Sequence, residues 1–184
     1  MNTTRRPRRP AGTRNFAVQS DVEGAFSSAR DDMTDLKQEI EDWKDNLGGN
    51  NMEHLPKYEE VSECYDALDS GVSTLEGIEV PEVLQGYAAN YTIDTRQSAQ
   101  SRNGRMANAM NALDAAKSAC EARLEENEAL EADEAEDFDG DPDAFITEEM
   151  VDEREAQRTE VEEFQTELEN AYGELENVSF PGMY

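Results

Sequence analysis

In DFDGDPDAFITEE (137–149), Asp137, Asp139, Asp141 and Asp143 fall at positions 1, 3, 5 and 7 of a twelve-residue frame, and Glu148 closes it at position 12. These are the oxygen-ligand positions of an EF-hand calcium loop. That loop turns sharply on a glycine at position 6, but position 6 here is Pro142, whose ring fixes φ negative. The stretch therefore reads as a solvated acidic loop joining two helices, with weak, non-selective divalent binding as the other reading. No metal site is assigned to it.

Other reactive residue types are sparse. His54 is the sole histidine, so neither a His-based metal cluster nor a catalytic triad can be assembled. Serines stand without a base to activate them, and no phosphate-cradling glycine loop is present. Carboxylates abound, but no predicted apolar pocket would shift their pKa. We expect no catalytic residue, no cofactor and no enzymatic activity. Cys64 and Cys120 fall on apolar helical positions without CxxC spacing, which suits reduced core thiols and a reducing cytoplasm.

Charge is the dominant feature. The chain has 44 acidic against 16 basic residues and a net charge of −28. An acidic body repels phosphate, so it disfavours nucleic-acid binding by the body and favours solubility, a basic partner or a salty setting. Scarce lysine beside abundant acid fits a halophile or a high-GC genome equally well. The arginines are segregated: Arg5, Arg6, Arg8, Arg9 and Arg14 lie in an acid-free, proline-bearing start, and Arg96, Arg102 and Arg105 lie near mid-chain. A segment of the first kind cannot bury apolar surface and is expected to stay extended. It reaches farther than a Debye length of about 8 Å, so it can touch an anionic partner despite the acidic body. Nucleic-acid contact, docking onto an acidic face of this or a sister chain, and a plain terminus all remain open. The mid-chain arginines are candidates for the same contact.

The opposite surface comes from the run Glu121–Asp141, with 11 carboxylates and one arginine. Glu121, Glu125, Glu128, Glu131, Asp137, Asp139 and Asp141 form a candidate acidic partner surface. Its plain reading is a solvated helix face. Carboxylates at i, i+3 and i+4 lie about 5–6 Å apart, near the spacing of phosphates along a strand, so a DNA mimic is the sharper reading.

These charges must be carried by helices. Val22, Phe26, Ala29, Met33, Leu36, Ile40, Trp43 and Leu47 alternate steps of four and three, the heptad pattern of a packed seam. Ser20 and Glu23 fit a capping box, and Gly48-Gly49-Asn50-Asn51 a helix stop. A second heptad runs Tyr58, Val61, Tyr65, Leu68, Val72 and Leu75, with Pro56 at its start and Pro81 beyond its end. The C-terminal half repeats this at an offset of 100: LEGIEVPEV (75–83) aligns with LENVSFPGM (175–183), and Val61 and Leu68 align with Val161 and Leu168. Helix three carries Met106, Met110, Leu113, Ala116, Cys120 and Leu124. Helix four carries Val161, Phe164, Leu168, Ala171, Leu175 and Val178. The expected fold is all-α: two antiparallel helical hairpins related by internal duplication, behind a disordered basic N-terminal tail. The expected boundaries are 1–19 for the tail, 20–83 for the first hairpin, 84–105 for a basic polar linker, and 106–184 for the second hairpin with an acidic loop at 133–143.

No apolar run reaches the roughly 18 residues of a membrane span. The start lacks the apolar stretch of a secretory signal, and Pro7 and Pro10 spoil the helix of a transit peptide. With EDWKDNL in the first hairpin, IEVPE at its break and FPGMY at the close, the chain resembles acidic helical proteins of tailed bacteriophages. The resemblance implies a viral accessory setting in the host-cell cytoplasm and carries over no site. We expect a helical interaction or regulatory protein with a protein partner, possible weak nucleic-acid contact through the tail, and possible homo-oligomers. An acidic decoy for a host DNA-binding protein and a self-assembling scaffold component are the other two readings.

Overall fold

The computed structural model describes residues 15–96, 100–138 and 148–182. Its elements are β1 (Asn15–Val18), α1 (Val22–Gly49), α2 (Pro56–Gly77), a 3-10 turn (Glu82–Leu84), β2 (Tyr91–Asp94), α3 (Arg102–Phe138) and α4 (Glu148–Glu176). The fold is mainly α, as the heptads require, and the two hairpins pack into one bundle. Helix α1 lies against α2 and α3, and α4 closes the ring against the same two.

Directions follow from side-chain contacts. Arg102 and Arg105, at the start of α3, meet Glu39 late in α1. Val22, the first residue of α1, bonds the Tyr87 carbonyl, and the Tyr87 hydroxyl reaches Glu126 far along α3. These two helices are therefore antiparallel. Lys57 donates to the Gly182 carbonyl at one end of α2 and α4, and Gly77 shares a groove with Glu160 at the other, so this pair is antiparallel as well. Across the diagonal, Phe26 of α1 meets Phe164 of α4 edge to face, with ring centroids 5.9 Å apart.

The seam residues supply the core. Val22, Phe26, Ala29, Met33, Leu36, Ile40, Val61, Leu68, Val72, Leu75, Leu113, Val161, Phe164, Leu168 and Leu175 are all buried. The heptads overreach at the rim, where Trp43, Leu47, Tyr65, Met110 and Leu124 are only partly buried. Cys64 and Gly71 take up α2 seam space instead. The offset of 100 has a spatial counterpart. Thr74 donates to Glu174 at 2.9 Å, and a Cβ on Gly71 would lie 2.6 Å from Leu175 Cδ2. The equivalent residues Leu75 and Ala171 are buried as well.

Four sequence expectations need correction. The cap of α1 is Asp21, whose carboxylate accepts from Gly24 N at 2.8 Å. Ser20 is engaged elsewhere: its amide donates to Asn90 Oδ1 and its carbonyl accepts from Ala89 N. Second, residues 15–18, placed in the tail 1–19, form β1 and pair antiparallel with β2 in the register Asn15↔Asp94 to Val18↔Tyr91. The expected disorder of residues 1–14 lies outside the described residues. Third, the linker 84–105 is part of the fold: Leu84 and Ala89 are buried, and α3 begins at Arg102, with Ser101 Oγ accepting from Gly104 N. Fourth, the α3 backbone runs to Phe138, because Ala, Glu and Leu are strong helix formers. The acidic loop expected at 133–143 therefore starts later than its composition suggested.

The acidic face of α2 and α4

Each mid-chain arginine is held by a carboxylate of the chain. Arg96 pairs with Asp94, whose carboxyl is held below its ordinary range by the Arg96 hydrogen bonds. Arg105 bonds Glu39 at 2.5 Å and Arg102 bonds it at 3.4 Å, while the Arg102 guanidinium lies 4.9 Å from the Trp43 ring centroid. Burial pushes the Glu39 carboxyl upward, but the hydrogen bonds and charges of Arg105 and Arg102 outweigh it, and the net shift is downward. Arg102 and Arg105 thus tie α3 to α1. Trp43, expected in the core, instead serves at the bundle's edge as a stacking partner for Arg102.

The remaining expected contact residues divide by position. Arg5, Arg6, Arg8, Arg9, Arg14, Asp139 and Asp141 lie outside the described residues. Glu131 and Asp137 belong to the α3 backbone. Glu121, Glu125 and Glu128 are exposed at helical spacing along α3, but Arg158 approaches Glu128 to 3.7 Å. The calcium reading of 137–148 loses its loop geometry at the first ligand, because Asp137 is helical. Among the described residues, no group of three His, Cys, Asp or Glu is placed to hold a metal ion.

A stronger acidic surface lies on the other pair of helices. From Tyr58 to Thr95, and again from Thr159 to Tyr184, the sequence contains no Lys, Arg or His. These runs hold nine and seven carboxylates, and they include nearly all of α2 and the second half of α4, which pack side by side. Neighbouring cations meet some of these carboxylates: Lys37 bonds Asp69 at 2.7 Å, Lys44 lies 3.7 Å from Asp66, Lys117 lies 3.2 Å from Glu169, and Lys57 and Arg158, each just before a run, bond Glu60 at 2.7 Å and Glu162 at 2.8 Å. At the end where α2 stops, a shallow groove of about 540 Å³ is lined by Glu79, Glu82, Glu160, Glu163 and Glu167, over Val80, Pro81 and Phe164. In the sequence this face is marked only by two cation-free stretches, each less dense in acid than the run at 121–141.

A cleft and two buried thiols lie elsewhere in the fold. A cleft of about 350 Å³ between β2, α1 and α3 contains Ser28, Asp32, Arg105 and Asn108. Asp32 titrates above its ordinary range, chiefly through burial and then through Asp35, although Arg105 opposes this. The thiols of Cys64 and Cys120 are buried, and burial pushes them up to about 11 and about 12, so neither is a reactive thiolate. No helix among the described residues is long and apolar enough to cross a membrane. Compared with known proteins, the chain matches no family model, no curated protein and no solved structure.

Proposed function

We propose that the protein is a non-enzymatic interaction module whose α2/α4 face receives a basic surface of a protein partner. The side-by-side packing of two cation-free runs carries this reading, because it concentrates negative potential on one side of a rigid bundle. Such a field steers a cationic partner and repels nucleic acid. On α4, Glu160, Glu163 and Glu167 follow one another at i, i+3 and i+7 around an apolar floor, an arrangement suited to a decoy for a DNA-binding protein. An accessory role of this kind in a host cytoplasm fits the bacteriophage resemblance. The test is capture of basic DNA-binding proteins on immobilised protein, with duplex DNA as competitor. Glu160→Gln, Glu163→Gln and Glu167→Gln together should slow association and flatten its salt dependence, since charge sets on-rate. Capture that survives both the triple change and excess DNA rejects the reading.

A second reading keeps the arginine tail as a nucleic-acid contact. The course of β1 favours it, because the chain enters the described fold beside β2 and α3, across the bundle from the acidic face. With at most five arginines engaged, log K against log salt should slope no steeper than about −4.5 on duplex DNA. Deleting residues 1–14 should abolish that binding, and a truncated chain that binds equally well rejects it.

A further inference from the structure

The two edges of the β1–β2 ribbon are treated differently. On the β2 side, Asn108 accepts from the Asp94 amide through Oδ1 at 2.9 Å and donates to the Asp94 carbonyl through Nδ2 at 3.1 Å. Asn111 donates to the Thr92 carbonyl at 3.2 Å. The backbones of Asp94 and Thr92 therefore face α3, and two helix side chains occupy the place of a third strand. By alternation, Tyr91 and Ile93 face β1, so Phe16 and Val18 point inward. Ser20 and Val22 continue that inward set, with Ala89 N donating to the Ser20 carbonyl and Val22 N to the Tyr87 carbonyl.

Asn15, Ala17 and Gln19 are left with their backbone groups pointing away from β2. All three residues are exposed, and no hydrogen bond within the described fold satisfies the outward amide of Ala17. Phe16, with 59% of its surface exposed, is the most exposed large apolar side chain of the described structure. An open strand edge beside an exposed aromatic is the usual template for pairing with another strand.

We propose that this edge is a homodimer contact, in which β1 of a second copy adds antiparallel about a two-fold axis at Ala17. The parity of the strand selects this register. Ala17 opposes its own counterpart and Asn15 opposes the partner's Gln19, so every outward group is paired, with about six backbone hydrogen bonds across the axis. Phe16 then falls opposite the partner's Val18, which covers its ring. Charge selects the same occupant. In the sequence the five tail arginines precede β1 and Asp21 and Glu23 follow it, so an antiparallel copy brings the basic end of one strand to the acidic end of the other. The assembly is isologous and closed, and it leaves the α2/α4 face free.

Sedimentation equilibrium of the full chain tests this. The expected result is a dimer that weakens as salt rises. Ala17→Pro should weaken it about a hundredfold or more, because both amide donors at the axis vanish, while no bond within the ribbon is lost. Circular dichroism should show unchanged helicity. A monomeric native chain, or a dimer indifferent to Ala17→Pro, overturns the proposal. A second pair of variants is independent of the proline. Ala17→Cys should cross-link between chains under mild oxidation, since Cα atoms about 5.5 Å apart at the axis suit a disulfide. Phe16→Cys should not, and the two buried native thiols stay silent. Equal cross-linking of both variants, or of neither, overturns the register.

Discussion

The contact between Gly71 and Leu175 makes the packing of α2 on α4 measurable through a reversal of sign. In an isolated helix, Gly71→Ala would stabilise by about 1 kcal/mol through helix propensity alone. In this bundle the new Cβ would lie 2.6 Å from Leu175 Cδ2 and 2.7 Å from Leu175 Cγ, inside van der Waals contact. Leu175 is fully buried, so it cannot swing into solvent. Overpacking of this kind costs about 1–3 kcal/mol, leaving a net loss of about 0–2 kcal/mol for Gly71→Ala. Leu175→Ala alone should cost about 2–5 kcal/mol through lost burial and a cavity. In that background the clash is gone and the added methyl fills part of the cavity, so Gly71→Ala should stabilise by about 1 kcal/mol. The double-mutant cycle, read from urea melts followed by circular dichroism, should thus give a coupling of about 1–3 kcal/mol. If Gly71→Ala stabilises the native protein by as much as it stabilises Leu175→Ala, the two residues do not touch and the two hairpins do not pack in this way.

The other predictions concern charge and edge positions. Glu39→Gln should cost less than about 1 kcal/mol because the carboxylate is partly exposed. Its folded pKa is lowered, so the native advantage is complete above the ordinary value of 4.5 and should vanish as pH falls through the folded value, in melts across pH 3–7. Asp32 has the opposite sign: Asp32→Asn should raise the melting midpoint at pH 7, and the gain should fade as pH falls toward and below the ordinary value of 3.8. Trp43→Ala should cost about 2 kcal/mol, less than a fully buried tryptophan, and Arg102→Ala should shift the emission of this sole tryptophan. Deleting residues 1–14 should change stability by less than about 0.5 kcal/mol, whereas deleting 1–20 should cost clearly more, because it removes β1 and the Ser20 bonds to Ala89 and Asn90. Equal melting of the two truncations would mean that β1 contributes nothing to the bundle.

The helices were legible because a heptad pattern states the period and the buried face of a segment together. Val22, Phe26, Ala29, Met33, Leu36 and Ile40 all lie where that pattern puts them. It fails at Trp43 and Tyr65 because periodicity gives direction around a helix but not distance from the bundle's end. There the core thins, and Arg102 and Lys44 lie against the two rings. The ribbon was illegible for another reason. Four-residue strands are too short to show alternation, and β1 is joined to β2 by pairing across more than 70 residues. The asparagines that hold β2, Asn108 and Asn111, look like surface residues of a polar helix until the strand is laid against them. Ser20 misled for the same reason: a good capping residue was already committed to the ribbon, and the cap passed to Asp21.

Charge was legible as a quantity and not as a map. The excess of acid and the clustering of arginine are facts of the sequence, but which charges remain for a partner depends on which meet one another. Arg102 and Arg105, read as contacts for an anion, are held by Glu39, 63 and 66 residues away. The α3 acid run, read as the acidic surface, receives Arg158 from α4. The two cation-free runs are unremarkable apart, since each is an ordinary acidic helix whose carboxylates could be neutralised from any neighbour. They become a surface because antiparallel hairpins place α2 against α4, where their carboxylates meet cations from α1 and α3 and from the residue just before each run, Lys57 beside Glu60 and Arg158 beside Glu162. From α1 and α3, Lys37, Lys44 and Lys117 meet Asp69, Asp66 and Glu169. Glu79, Glu82, Glu160, Glu163 and Glu167 consequently share one groove with no basic residue among its lining. A heptad decides which helices are neighbours, and that choice decides which charges are cancelled.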